Sequence, residues 1–132
     1  MKDIHKANKI TPTNSEYRKF IDIFNQSPFS IEIYDAKGKL ENINRACIDL
    51  FGMKSPNEVL GFDLFTNPHL STQIISQIKS GHPVKYELTY DFDLVKSQNL
   101  YQSAKEGICY LECYISRLLV ILCATPILQN VN

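Results

Sequence analysis

The stretch "IEIYDAKGKLENINRACIDLFG", residues 31–52, decides how the chain is read. Its start alternates. Together with Phe29, Ile31 and Ile33 fall on one side of an extended segment, and Ser30, Glu32 and Tyr34 fall on the other, the period-two pattern of a half-buried strand. In "DAKG", Asp35 and Gly38 supply a turn: Asp bonds its own backbone two residues on, and Gly accepts the positive φ that tight turns demand. "KLENI" reads as the partner strand, antiparallel because so short a link cannot carry a crossover. Asn44 caps a short helix, "RACIDLF", whose inner face is Cys47, Leu50 and Phe51, and Gly52 stands at C′. This strand–turn–strand–helix unit holds no nucleophile with a base, no metal-ligand spacing and no phosphate loop, so its purpose lies elsewhere than in catalysis.

Working outward, residues 1–14 are polar, carry Pro12 and lack periodicity, the pattern of a flexible arm. "SEYRKFIDIFNQSP" then spaces Tyr17, Phe20, Ile21 and Phe24 as the apolar stripe of an amphipathic helix stopped by Pro28. Such a stripe needs a cover: its own domain, or the same stripe of a second copy, in which case these four residues form a dimer face. Downstream, "KSPNEVLG" predicts a capping box, with Ser55 as N-cap, Pro56 at the first helical position and Glu58 three residues after the cap. "FDLFTNPH" is a short irregular or helical piece that buries Leu64 and Phe65. Ser71 caps "TQIISQIKS", which aligns Ile74, Ile75 and Ile78 and stops at Gly81. "PVKYELTYDFD" alternates over its whole length, with Val84, Tyr86, Leu88, Tyr90 and Phe92 facing one way. A long polar connection follows, then the strand "ICYLECYI" and a last buried strand in "LLVILCATPIL", stopped by Pro126. Five strands with several short helices on one face make an α+β layer fold.

The chain has 132 residues, 44% of them apolar, consistent with one domain over residues 15–128. Fourteen basic residues balance fourteen acidic ones. That balance leaves no electrostatic footprint for nucleic acid and no polybasic patch for direct membrane contact. The N-terminal residues lack an apolar signal region, and "LLVILCA" falls far short of the roughly 20 apolar residues of a membrane span, so the expectation is a cytoplasmic domain. The cysteines, Cys47, Cys109, Cys113 and Cys123, match no zinc spacing. Cys109 and Cys113 share a strand face about 13 Å apart, at roughly 3.3 Å per residue, beyond one metal ion or one disulfide. Reduced, buried thiols are expected.

The order of these features resembles a PAS sensor domain. The resemblance rests on the strand before "DAKGKLENIN", the asparagine–x–alanine start of the helix in "NRACIDLFG", and the "SPNEVLG" helix ending in Leu-Gly. It extends from about Tyr17 to about Ile115. The segment "YDFDLVKSQNLYQSAKEGICYLECYI" is similar to PAS segments of bacterial two-component sensor histidine kinases. The resemblance implies a five-stranded antiparallel sheet in spatial order 2-1-5-4-3. Short helices would cross one face and enclose a small cavity, and an N-terminal helix would flank the domain. It also implies a regulatory role: binding a small ligand or mediating homodimerisation, and passing strain to an output kinase domain whose catalysis lies outside this chain. Two alternatives stand beside it, a ligand-free structural dimerisation module and a PAS domain of a transcription regulator. The C-terminus departs from the pattern. "ISRLLVILCATPILQNVN" offers only Ser116 and Arg117 as turn residues and lacks the Asp-Ile-Thr ending, which leaves either a very tight hairpin or a displaced last strand.

Within that fold the pocket candidates are Ile33, Cys47, Phe51, Phe65, Ile74, Ile78, Tyr86 and Tyr90, which serve equally as filled core. A cavity of about 300 Å³ or more would favour sensing, and close packing throughout would favour the scaffold. No cofactor is identifiable. His69 in "NPHL" lies where haem-binding relatives place a ligand, but a single histidine there reads as a surface or capping residue. His82, between Gly81 and Pro83, reads as a loop residue. The cysteine motif of flavin photosensors is replaced by "FDLFTNPH", and Cys47 lies on an earlier helix. Glu112 and Asp49 could be drawn as an acid–base pair; Glu112, on a strand with Tyr110 and Tyr114, could hold a ligand by hydrogen bonds but reads rather as a solvated face residue. No catalytic residue and no metal site are expected.

Overall fold

The computed structural model describes residues 13–126. Residues 1–12 of the expected arm and 127–128 of the expected domain lie outside that range. Thr13 opens helix α1 (Asn14–Gln26) with a capping box: its hydroxyl accepts from the Glu16 N–H at 3.1 Å, and the Glu16 carboxylate accepts from the Thr13 N–H at 2.9 Å. The helix therefore starts one residue earlier than its apolar spacing predicts. There follow β1 (Ser30–Tyr34), β2 (Leu40–Ile43), α2 (Arg45–Phe51), 3₁₀ turns at Pro56–Val59 and Leu64–Thr66, α3 (Thr72–Lys79), β3 (Val84–Asp91), α4 (Phe92–Ser97), β4 (Ile108–Ile115) and β5 (Val120–Ala124).

These five strands form one antiparallel sheet in the order β2-β1-β5-β4-β3, as the resemblance implies. Two hairpins share one device. In the first, Asp35 accepts from the N–H groups of Lys37 and Lys39 at 2.9 Å each, and Gly38 closes the turn at φ 86°. In the second, the Leu119 N–H donates to the Ser116 carbonyl at 3.0 Å, and the Ser116 N–H donates to the Val120 carbonyl at 3.0 Å. Leu119, at φ 59°, takes the place that Gly38 holds in the first turn. The last strand is thus in register, joined by a very tight hairpin.

The inner face buries Val84, Tyr90, Leu111, Cys113, Ile115, Ile121 and Cys123 against Cys47, Phe51, Leu64 and Val95. On β1 the faces are the reverse of the expected ones. Ser30 and Tyr34 are buried, Glu32 turns toward α2, and Ile31 and Ile33 stand on the outer face. The reason is that the outer face is itself apolar, so alternation fixes the period but not the side.

Two local expectations are corrected. Ser55 makes no side-chain cap, and the segment is a 3₁₀ turn rather than a boxed helix, although Pro56 does open it. Glu58 instead accepts from the Gln102 N–H across the domain. Phe92, expected to end β3, is the first residue of α4, because the Asp91 carboxylate accepts from the Asp93 N–H and caps a helix there.

Candidate functional site

Asn44 ties the site together. Its carbonyl oxygen accepts from the N–H groups of Cys47 (3.0 Å) and Ile31 (2.9 Å), and its amide donates to the carbonyls of Phe24 and Phe29 (2.9 Å each). One buried side chain thereby joins the end of α1, the entry to β1 and the first turn of α2. That junction sets Cys47 over the inner face of β1.

Opposite Cys47 lies Glu32. The Tyr34 hydroxyl donates to one of its carboxyl oxygens at 2.6 Å, and the Cys47 thiol reaches the other at 3.9 Å. The ion pairs among the described residues, Lys39–Asp63 and Lys96–Glu106, do not include it. Glu32 keeps some accessible surface toward the cavity it lines, yet its carboxyl is deeply desolvated. Burial raises its pKa above the usual glutamate range, and the hydrogen bonds from Tyr34 and Cys47 only partly oppose this. The same burial, with Glu32 as neighbour, pushes the Cys47 thiol and the Tyr34 hydroxyl up.

The cavity in front of Glu32 measures about 60 Å³ and is lined by Tyr34, Phe51, Asn67, Tyr90 and Tyr101 together with apolar side chains of β2 and the first 3₁₀ turn. The Tyr90 and Tyr101 hydroxyls are 2.9 Å apart, and Phe51 meets the Tyr90 ring edge-on at 4.8 Å. His69 stacks on the other side of Tyr90 at 3.9 Å. Its Nε2 lies 3.1 Å from the Asp91 nitrogen and 3.2 Å from the Asp91 carbonyl oxygen, and its Nδ1 is buried with no partner among the described residues. Burial lowers the His69 pKa. His69 is therefore a packed tertiary contact and not the surface or capping residue expected. At about 30 Å³ per molecule, the cavity has room for roughly two waters or a ligand of similar size.

Of the pocket candidates, Phe51 and Tyr90 line this cavity, and Cys47 backs it through Glu32. Phe65 instead covers Gly38 and takes the Lys79 ammonium 5.0 Å above its ring. Ile74 and Ile78 belong to α3, which packs on β3. Tyr86 sits on the inner face opposite Cys113, and Ile33 faces outward. Glu32, Tyr34, Asn67 and Tyr101 add the polar part of the lining without having been singled out as site residues from the sequence. Glu112 and Asp49 stay exposed on opposite sides of the sheet, with Glu112 directly across from Glu87.

On the outside, Tyr17, Phe20 and Ile23 of α1 are 60%, 67% and 59% exposed, while Ile21 and Phe24 are half-buried. The outer sheet face carries a groove of about 670 Å³ between Phe29, Leu122 and Tyr114, edged by Lys85, Glu87 and Glu112. Among the described residues no group of three His, Cys, Asp or Glu could hold a metal, and no helix is long and apolar enough to cross a membrane.

A five-stranded antiparallel sheet in this order, with short helices over one face and a small cavity beneath them, is the PAS fold. Solved structures bear out that assignment. The PAS domain of an HTR-like protein from Haloarcula marismortui superposes with a TM-score of 0.60 at 15% identity, covering 86% of this chain and 100% of that one. The PAS domain of nitrogen regulation protein NR(II) from Vibrio parahaemolyticus has a TM-score of 0.54 at 17% identity, covering 80% and 96%. A domain of a sensory box sensor histidine kinase/response regulator from Geobacter sulfurreducens has 0.56 at 17%, covering 84% and 93%. At these identities the likeness is one of fold. No protein-family model and no curated protein matches the sequence.

Proposed function

We propose that this chain is a regulatory module of a signalling protein, working as a pair of copies beside an output domain of the sensor-kinase kind. The observation that carries this reading is a contrast of surfaces. The inner cavity in front of Glu32 measures about 60 Å³, well below the roughly 300 Å³ of small-molecule sites, while apolar side chains of α1 and of the outer sheet face are exposed. The sensor-kinase context draws its support from the structural neighbours, two of which carry nitrogen-regulation and histidine-kinase names. A cytoplasmic setting and the absence of haem and flavin belong to the same proposal, and the purified protein is expected to be colourless. Sedimentation velocity at tens of micromolar tests the pairing: a dimer is expected, and a monomer at every concentration sampled would overturn it.

A second reading has its own observation. A glutamate with no cationic partner among the described residues lines the inner cavity, and a small hydrogen-bonding ligand there would make the module a sensor. Native mass spectrometry of freshly purified protein separates the two, since a stoichiometric bound mass favours sensing and a bare chain favours the dimerisation module.

A further inference from the structure

The register of the sheet sets four side chains in one row on the inner face: Ser30 of β1 opposite Cys123 of β5, Cys123 opposite Cys113 of β4, and Cys113 opposite Tyr86 of β3. In an antiparallel pair, opposed residues alternate between hydrogen-bonded and non-hydrogen-bonded positions. The tight hairpin fixes the phase. The Ser116 N–H donates to the Val120 carbonyl, which makes that pair hydrogen-bonded. Ile115 with Ile121 is then non-hydrogen-bonded, Tyr114 with Leu122 hydrogen-bonded, and Cys113 with Cys123 non-hydrogen-bonded. Non-hydrogen-bonded pairs bring their Cα atoms to about 4.5 Å, inside the span of roughly 4.4–6.8 Å that a disulfide bridges. The two sulfurs are in contact at 2.7 Å. Neither remaining cysteine has such an opposite number: Cys109 faces Tyr90, and Cys47 lies against Glu32.

We propose that Cys113 and Cys123 are a redox pair that closes into a reversible cross-strand disulfide, with a small peroxide as oxidant. Both residues are buried, at 5% and 4% exposure, which excludes a bulky disulfide reagent, while both line the groove of about 670 Å³, a route for a small neutral oxidant. One thiol gives up its proton and its sulfur attacks a peroxide oxygen. The O–O bond breaks, yielding a sulfenic acid and, after proton transfer, water. The second sulfur then attacks the sulfenic sulfur, the S–O bond breaks, and a second water leaves with the second thiol proton. Two thiols and one hydrogen peroxide become one disulfide and two waters, with two electrons passing from sulfur to oxygen. The bond would fasten β5, which lies between β1 and β4, to its neighbour at the centre of the sheet.

The test uses the full chain, reduced and then exposed to hydrogen peroxide while folded. Remaining thiols are alkylated after denaturation and the product is read by mass spectrometry. The expected product has lost two hydrogens, carries alkyl groups on Cys47 and Cys109 only, and yields a peptide linking Cys113 to Cys123 that dithiothreitol separates. Cys113→Ser and Cys123→Ser are each expected to lose the bridge, and Cys109→Ser to keep it. Peptide mapping of the wild type decides the matter alone if a serine variant fails to fold. Alkylation of all four cysteines, a linkage through Cys47 or Cys109, or oxidation that stops at a sulfinic acid would overturn the proposal.

Discussion

Two side chains account for much of what the residues do. Asn44 satisfies four backbone groups, so Asn44→Ala takes the partner from the Ile31 and Cys47 N–H groups and the Phe24 carbonyl, while the Phe29 carbonyl keeps the Ser27 hydroxyl at 3.3 Å. A lost N-cap and buried unsatisfied groups together are expected to cost about 2–4 kcal/mol in a denaturant melt, and a loss under about 1 kcal/mol would mean that water replaces the side chain. Glu32 works in the other direction. Because burial raises its pKa, the folded state holds this proton more tightly than the unfolded chain does. Its contribution to stability is therefore full below the unfolded glutamate pKa and is lost as pH rises through the folded one. Glu32→Gln is expected to be more stable than the wild type at about pH 7, with the difference shrinking toward about pH 4. Urea melts at both pH values check the sign, and a variant less stable at neutral pH would reveal a compensating partner for the carboxylate.

At the scale of elements, the turns were the most legible parts and the strand faces the least. Asp35 and Gly38 announce their hairpin through chemistry that only a turn requires, and Asn44 with Gly52 brackets α2 in the same local way. Ser55, Pro56 and Glu58 carry an equally good local signal, yet the structure commits the Glu58 carboxylate to Gln102, forty-four residues away, and the Ser55 side chain makes no cap bond. Ser55→Ala is accordingly expected to change stability by less than about 0.5 kcal/mol. Gly38 is the opposite case. Its φ is 86°, and a Cβ there would stand 2.5 Å from the Phe65 ring, so Gly38→Ala is expected to cost about 2 kcal/mol or more. Thermal melts of the two variants, side by side, test whether tertiary contact or local motif governs. The site was harder to read than the fold. Phe51 and Tyr90 follow from apolar periodicity, but Glu32 looks solvated on any one-strand view. Only the position of α2 over β1 turns it inward, and pairing across β3, β4 and β5 is likewise what brings Cys113 to Cys123.

At the scale of the whole molecule, the unresolved balance is between what the domain covers and what it leaves bare. Helix α1 makes its main contacts with α2, which half-buries Ile21 and Phe24 but leaves Tyr17, Phe20 and Ile23 open to solvent. None of its residues is fully buried, so the helix draws little from its own domain's core. Short helices without tertiary packing are marginal in water, and a second copy laid on the open stripe would supply the missing cover. Replacing both Phe20 and Ile23 by Glu places charges on that stripe while sparing the half-buried pair. If α1 is a seam between copies, the Phe20→Glu, Ile23→Glu variant is expected to sediment as a folded monomer, with a dissociation constant raised at least about a hundredfold, the loss of roughly 2.7 kcal/mol or more of association energy. Its far-ultraviolet circular dichroism should lose only the signal of the exposed helix, and its urea midpoint should match that of the wild type diluted to its monomeric range. A variant that remains dimeric would move the interface to the outer sheet face, where Leu122→Glu then becomes the disrupting change. A variant that unfolds would instead show that α1 is held by its own domain, and the exposed stripe would no longer argue for pairing.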